Sequence, residues 1–476
     1  MTRSINEDSV ALAMKGIREE IKLRSNQKRR FNSWIAAQNH IYKAKCEEDW
    51  YYFQQHKNAA SLSGLRPNAD QCYSHLRQNI FKSVPSQILR NGAFRWMEAK
   101  KRFFKKLAGN PRPKKGIKRS CLITNELFTI VIAPSYYSDE WVYKFSFVGG
   151  VGEVTLRLSV HTPIPKMLSL SRSGGRYFLS FCYEDGLIQR SQAQLFEEIK
   201  KLNPATLASQ TLGVDRGVAV NAALSNGLIL GPNESEKAAA IRKARRKLKW
   251  EKHLARAQKG SKNRLKLRNK LNKVNAEIAN LRANVNHRIS KQISKLDSTV
   301  IAFEKLKTKN MTKRAKAKAD PVSGKWLRNN GNAKSGLNRA ILNAAPYQLF
   351  VFTQYKAFRA NKLVMEVNPA YSSQECSACG HTEEGNRKSQ SDFQCLKCKH
   401  AENADLNASK VVKRRGILDL LAGKFVPLDE SKIKVKARRT RVTVCGGDVR
   451  GGNQGSHPVP MKQKPNSEKW PTHAIC

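Results

Sequence analysis

The sequence predicts a multidomain α+β protein, and three changes of texture along its 476 residues predict it. Aromatic and basic helical periodicity fills "FNSWIAAQNHIY" and "AFRWMEAKKRFFKKLAG". From about 120 to 184 the chain turns to β-branched and aromatic runs, "LFTIVIA", "WVYKFSFVGG", "VTLRLSV" and "RYFLSFCYE", divided by Gly, Ser and Pro turns, the mark of a small barrel or sandwich. Beyond 211, "STVIAFEKL" and "NKLVMEVNP" flank a helical stretch in β, α, β order and should pair in parallel. A chain of this length has room for roughly three domains.

Lys and Arg number 88 against 37 Asp and Glu, a formal net charge of +51. A small domain stays soluble with a net charge of about 2 to 8, and an excess this large repels itself unless a polyanion neutralises it. Extended phosphate backbone, DNA or RNA, is therefore the partner to which the composition points, because counterion release rewards dispersed cationic contacts. An anionic membrane surface is the weaker alternative. The apolar run at 10–14 is too short for a secretory signal, and no stretch approaches the roughly 18 apolar residues of a membrane span. Cys46, Cys72, Cys121, Cys182, Cys445 and Cys476 lack framework spacing, as reduced cytosolic thiols do. The expectation is a soluble cytoplasmic protein.

In chain order, "IREEIKLRSN" at 17–26 reads as a first strand, and helical periodicity begins at Gln27. A second helix ends at Gly109, before the Pro and Gly boundary "NPRPKKG". After the β segment, "TLGVDRGVAVNAALSNGLIL" breaks apolar runs at "DRG" and "SNG", a meander of short strands. From 242 to 270 there are fourteen Lys or Arg and one acid, Glu251. Leu267, Leu271, Val274, Ile278, Leu281, Val285 and Ile289 then recur in steps of four and three, a helix-packing seam. With "KGSKNR" as the turn, this is an antiparallel helical hairpin with a basic outer face; so one-sided a charge run favours nucleic acid over a merely solvated surface. Helical periodicity spans "LNRAILNAAPYQLFVFTQYKAF", and past about Lys413 the chain turns polar, Gly-rich and disordered in composition.

Cys376, Cys379, Cys395 and Cys398 follow a C-x2-C, x15, C-x2-C spacing. Each short pair can present two thiolates to one tetrahedral Zn²⁺, and four sulfur ligands close the site, so its role is structural. His381 and His400 stand beside a ligand set that is already complete.

Three carboxylates bear on chemistry only when taken together. Singly, Asp215 in "GVDRG" is an ordinary turn residue, Glu304 after "VIAF" a strand-end charge, and Asp405 in "ENADLNAS" a helix N-terminal acid. Two of them end apolar strands and the third begins a helix after the next parallel strand, so all three could converge at one end of a sheet. Hard oxygen ligands in such a cluster suit Mg²⁺ or Mn²⁺ and phosphodiester hydrolysis.

The motifs "GVDRGVAVNAALSNG", "IAFEKLKTKNMTKRAKA", "KSGLNRAIL", "VNPAYSSQECSACGH", "NRKSQSDFQC" and "NADLNAS", in this order, make the chain resemble the TnpB family of transposon-encoded RNA-guided DNA endonucleases, the ancestors of the compact type V CRISPR effectors. The resemblance covers about 17–412 and is strongest from Leu212 onward. It implies a RuvC nuclease of RNase H-like fold, with Asp215, Glu304 and Asp405 as the catalytic carboxylates around Mg²⁺ (or Mn²⁺). It implies a four-Cys Zn²⁺ ribbon inserted before the last of these, and a helical recognition domain and small β-barrel wedge domain that hold a guide RNA and read a short motif flanking double-stranded target DNA. Base pairing reads the rest. The basic hairpin would line the heteroduplex channel, making Arg242, Arg245, Arg246 and Lys249 candidate nucleic-acid contacts, and Arg387, in the ribbon segment bordering the active centre, would contact the scissile strand or stabilise the fold.

The domain boundaries that follow are 1–26 for an extension and first wedge strand, 27–112 for recognition and 113–190 for the wedge. The nuclease occupies 191–375, with the hairpin at 236–292, and resumes at 399–415 after the ribbon at 376–398; 416–476 is a basic tail. Three departures stand out: about sixteen residues precede the expected first strand, "IREEIKLRSN" lacks the family's usual Tyr-Pro ending, and Lys399 stands where Gly commonly follows the last cysteine. A compact type V effector using array-derived guides is the alternative within the class. A guided DNA-binding regulator that has lost cleavage is disfavoured by the complete carboxylate set. A zinc-ribbon RNA-binding protein leaves the motifs before the ribbon unexplained.

Overall fold

The computed structural model describes residues 12–55, 73–74, 81–113, 119–136, 138–188 and 190–425. The chain opens with strand β1 (Leu12–Ile21), which begins five residues before the expected start at Ile17. The reason is its partner: β7 (Arg176–Ile188) is 13 residues long, and the antiparallel ladder runs from Ile21↔Tyr177 through Lys15↔Tyr183 to Leu12↔Ile188, so "LAMKG" has backbone to pair with. Between these two strands in the chain lie helices α1 (Ser25–Gln55) and α2 (Ser86–Phe104) and strands β2 (Ser120–Thr124), β3 (Phe128–Pro134), β4 (Trp141–Phe147), β5 (Gly152–Leu158) and β6 (Met167–Ser173).

The seven strands form two antiparallel sheets, β1-β7-β6-β2 and β3-β4-β5. Alternation decides which side chains go inward: Tyr143, Phe145 and Phe147 of β4 are buried, while Lys144 and Ser146 between them are exposed. Phe31, Trp34 and Ile41 of α1 and Ile88 and Leu89 of α2 join them in one hydrophobic core. Gly92 lets the helices close, because a Cβ there would lie 2.7 Å from the Gln38 carbonyl. Cys46 and Cys121 are buried thiols outside any disulfide. Cys182, in contrast, is disulfide-bonded, which corrects the expectation of reduced thiols throughout; bridging depends on the approach of Cα atoms in space, which scattered spacing does not reveal.

The second half is built on five strands, β8 (Thr211–Asp215), β9 (Ala222–Leu224), β10 (Ile229–Leu230), β11 (Val300–Glu304) and β14 (Leu363–Val367), in the order β10-β9-β8-β11-β14. β11 lies between β8 and β14 and pairs with both in parallel. Such a sheet must be covered on both faces, and its parallel strands are largely apolar as that requires, the acids Asp215 and Glu304 standing at strand ends and Glu366 on β14. Ile301 and Phe303 face α6 (Lys262–Lys295) and α9 (Pro346–Arg359), whereas Val300 and Ala302 face α3 (Gln192–Ile199), α4 (Pro204–Gln210) and α10 (Ala404–Leu421). The result is three layers, helices on either side of one mixed sheet.

Three helical readings are refined. The basic hairpin is α5 (Glu234–Arg256) packed on α6, with Arg246 ion-paired to Glu277. Val274, Val285 and Ile289 of the expected seam are buried, the last two on the sheet. The stretch expected as one helix is two, α8 (Gly331–Ala344) and α9, broken at Ala345 with φ +51°. The break follows from Pro346, which excludes right-handed helical backbone from the residue before it and supplies no N–H. Finally, α10 runs to Leu421, past the expected onset of the tail at 416, because Gly416 seats on Ala302 and Leu420 and Phe425 join the core beneath the sheet. The remainder of the expected tail, 426–476, lies outside the described residues.

After Glu304 come the short helix α7 (Thr308–Met311) and a two-stranded hairpin, β12 (Lys318–Ala319) and β13 (Trp326–Leu327). The ribbon segment contributes β15 (Asp392–Gln394) and β16 (Ala401–Asn403). No described helix is long and apolar enough to cross a membrane.

Candidate active site

Asp215 and Glu304 end β8 and β11, which run parallel with Val214 beside Phe303, so both carboxylates stand at the same edge of the sheet. Asp405 lies in the first turn of α10, where the Asn403 side chain accepts from the backbone N–H groups of Asp405 and Leu406 at 3.0 and 3.3 Å. The ordinary reading of Asp405 as a helix N-terminal acid is therefore correct and compatible with a second role. What carries it to the other two is Gly213: α10 crosses β8 so closely that a Cβ on Gly213 would lie 2.6 Å from the Lys413 backbone nitrogen.

Glu304 and Asp405 both act electrostatically on Asp215. Burial first, then the charges of Glu304 and Asp405, push the Asp215 carboxyl up to about 7, against the opposing pull of Arg216. Burial also raises Glu304, which is 7 % exposed, while the Ser372 hydroxyl donates to its Oε1 and Arg216 and Arg415 pull the other way. Glu366 on β14, half-buried, is raised by the same loss of solvent. A cluster of anions held out of water in this way is a site that a cation would stabilise.

Sequence reasoning missed the group that organises this edge. Arg216 is buried, donates to the backbone carbonyl of Glu304 and to that of Pro346 at 3.2 Å, and lies over the rings of Phe303 and Phe350 at 5.3 and 5.2 Å. Burial lowers its pKa to about 10, with Glu366, Glu304 and Asp215 supporting the charge. An Arg beside Asp in "DRG" gives no signal of burial, because the two rings come from distant parts of the chain.

The second cluster is the clip. The four thiol sulfurs of Cys376, Cys379, Cys395 and Cys398 lie within 4.8 Å of one another, with Cys376 to Cys398 at 3.7 Å and Cys379 to Cys395 at 3.6 Å. Metal–sulfur bonds of about 2.3 Å in a tetrahedron give edges of about 3.8 Å, so the set fits Zn²⁺. The two corners share one backbone plan. Cys376 N–H donates to the His381 carbonyl and Gly380 N–H to the Cys376 carbonyl; Cys395 N–H donates to His400 and Lys399 N–H to Cys395. The histidines thus serve through their main chain, as surplus residues beside a complete ligand set.

Both Gly380 and Lys399 have positive φ, +78° and +62°, so the departure at Lys399 keeps the backbone geometry that Gly adopts freely. The clip is fastened to α10 by Glu375, whose carboxylate pairs with Arg414 and Arg415, and by Asn407, which donates to the Glu375 carbonyl at 2.8 Å. Arg387 reaches Asp405 at 3.7 Å, beside the carboxylates. Arg242, Arg245, Arg246 and Lys249 are all exposed on α5, but Arg246 is engaged with Glu277.

A three-layer fold with clustered carboxylates at one sheet edge and a four-thiol clip beside them, in a chain of net charge +51, has the features of a nucleic-acid-processing protein. The comparisons sharpen that class. Residues 347–412 match the family model described as Cas12f1-like, TNB domain. InsQ of Escherichia coli strain K12, named an RNA-guided DNA endonuclease, is 32 % identical over 347 residues, covering 72 % of this chain and 78 % of InsQ. The CRISPR-associated endodeoxyribonuclease Cas12f1 of Sulfoacidibacillus thermotolerans is 36 % identical over 85 residues, 18 % of this chain and 20 % of that protein. Among solved structures, a Cas12f1–sgRNA–target DNA complex aligns over 85 % of this chain and 99 % of its own, at 13 % identity and a TM-score of 0.47. The chain belongs to the TnpB-like family of RNA-guided DNA endonucleases.

Proposed function

We propose that this protein binds a guide RNA and cleaves double-stranded DNA next to a short flanking motif, in a RuvC-type site of RNase H-like fold. Asp215, Glu304 and Asp405 would hold Mg²⁺ or Mn²⁺, and a divalent ion bound there supplies activation of water and charge stabilisation of the leaving oxygen. The observation that carries the reading is the approach of Glu304 and Asp405 to Asp215, whose carboxyl rises to about 7 through burial first and then their charges. Ser372 orients Glu304, Arg216 fixes the strand end that bears it, and Arg387 is available to a phosphate oxygen beside Asp405. The four cysteines would hold Zn²⁺ as a structural clip. The two-sheet segment would act as the wedge domain and α1 with α2 as the recognition domain. The basic face of α5 would follow the heteroduplex.

The decisive experiment is purification with co-expressed flanking RNA, followed by plasmid cleavage over a randomised flank library with Mg²⁺. Cutting at one flanking motif, lost in Asp215→Ala with guide binding retained, supports the proposal. A wild-type complex that binds RNA and leaves every plasmid intact refutes it.

A further inference from the structure

We infer that Tyr371 is a stacking platform for an unpaired nucleobase of the DNA strand that enters the carboxylate site. The inference rests on the nuclease reading and assigns it a substrate-contacting residue. Where the chain leaves β14 and turns into the ribbon, Tyr371 has φ +59°, the only aromatic residue in the left-handed region among the described residues. A bulky side chain is disfavoured there, and Gly or Asn would relieve the strain. Such a conformation persists when its surroundings over-determine it.

They do so here. The Tyr371 carbonyl accepts from the N–H groups of Gln374 and Glu375 at 2.9 and 3.0 Å. Glu375 is gripped by Arg414 and Arg415, and Arg415 also donates to the Asn368 carbonyl at 2.6 Å. Both sides of the corner are thus tied to α10, the helix that carries Asp405.

The clamp has opposite effects on two adjacent residues. Ser372 is 5 % exposed and donates to Glu304, whereas Tyr371 is 68 % exposed. Among the described residues the Tyr371 side chain has no hydrogen-bond, ion-pair or ring partner. It therefore adds nothing to a core while occupying a strained backbone one residue from a carboxylate-orienting serine. An exposed ring one residue from the serine that orients Glu304 has the chemistry of single-strand binding, where aromatic faces stack bases with little regard to sequence.

The test compares Tyr371→Gly and Tyr371→Phe with wild type, each as the full chain bound to its guide RNA. The Gly variant is expected to melt at or above the wild-type temperature, bind guide equally, and lose roughly tenfold or more in kcat/KM for target DNA, while Phe stays within about twofold. In an Asp215→Asn background, 2-aminopurine placed at successive positions around the cut should be quenched at one position and recover emission when Tyr371 is Gly. A Gly variant that cleaves like wild type overturns the inference. So does one whose melting temperature and cleavage fall together, a Phe variant as impaired as Gly, or emission that no position makes sensitive to Tyr371. If wild type binds guide and does not cut, the nuclease reading fails instead, and the 2-aminopurine measurement still decides the stacking.

Discussion

The Arg216 guanidinium donates to the backbone carbonyl of Glu304, so the residue after one carboxylate fixes the strand end that carries another. Its charge lies over the rings of Phe303 and Phe350 and is supported by Glu366, Glu304 and Asp215. Removing one member of a buried, hydrogen-bonded charge cluster costs about 3 to 5 kcal/mol. Arg216→Met should therefore lower the melting temperature strongly at neutral pH, and less at about pH 4, where Asp215 is protonated in the fold. Differential scanning calorimetry at the two values checks this.

The acidity of Asp215 gives a signed pH dependence. Its carboxyl stands at about 7 in the metal-free fold against 3.8 ordinarily, because of burial and its anionic neighbours. Between those values the folded chain holds a proton that the unfolded chain has released, so stability conferred by this group is full below about 4 and declines as pH rises to about 7. In chelator, Asp215→Asn should raise the melting temperature at pH 8 by a few degrees and leave it unchanged at pH 4. Mg²⁺ should stabilise wild type at pH 8 and not the variant. A destabilised Asn variant at pH 8 would contradict this account.

Lys399 offers a test of backbone strain apart from catalysis. It has φ +62° where its counterpart in the first corner is Gly380. A residue with a Cβ is disfavoured there by about 1 to 2 kcal/mol, so Lys399→Gly should stabilise the ribbon and slow the release of Zn²⁺ to a chromogenic chelator. Cys395→Ser should lose the metal, measured as zinc per chain, while α5 still binds RNA.

The exposed cations of α5 are separable by their partners. Arg242, Arg245 and Lys249 face solvent, whereas Arg246 pairs with Glu277. Each phosphate contact removed should lower the slope of log affinity against log salt by roughly one. Alanine at Arg242, Arg245 and Lys249 should weaken guide-RNA binding across sequences and reduce the slope by about three. Arg246→Ala should change it less and disturb the packing of α5 on α6.

Much of this was legible in the chain, for identifiable reasons. The cysteine spacing is a local pattern, and the clip forms from it directly. "VD" and "FE" close apolar runs, so Asp215 and Glu304 announce themselves as strand ends, and β, α, β order gives the parallel pairing of β11 with β14. Arg216 and Ser372 were invisible because their meaning comes from Phe350, Phe303 and Glu304, which only folding brings to them. The break at Ala345 was legible in principle from Pro346, but strong amphipathic periodicity on both sides concealed it. The end of α10 was misjudged because the basic composition beyond Lys413 outweighed a short apolar run whose partners, Ala302 and Met365, lie on other strands.

The contact of Gly213 with α10 bears on how this protein tolerates change. Main chain meets main chain there, so the separation between the strand bearing Asp215 and the helix bearing Asp405 is gauged by backbone and hardly by side-chain volume. The gauge is then an absent side chain, and two carboxylates 190 positions apart keep their spacing because of a missing methyl group.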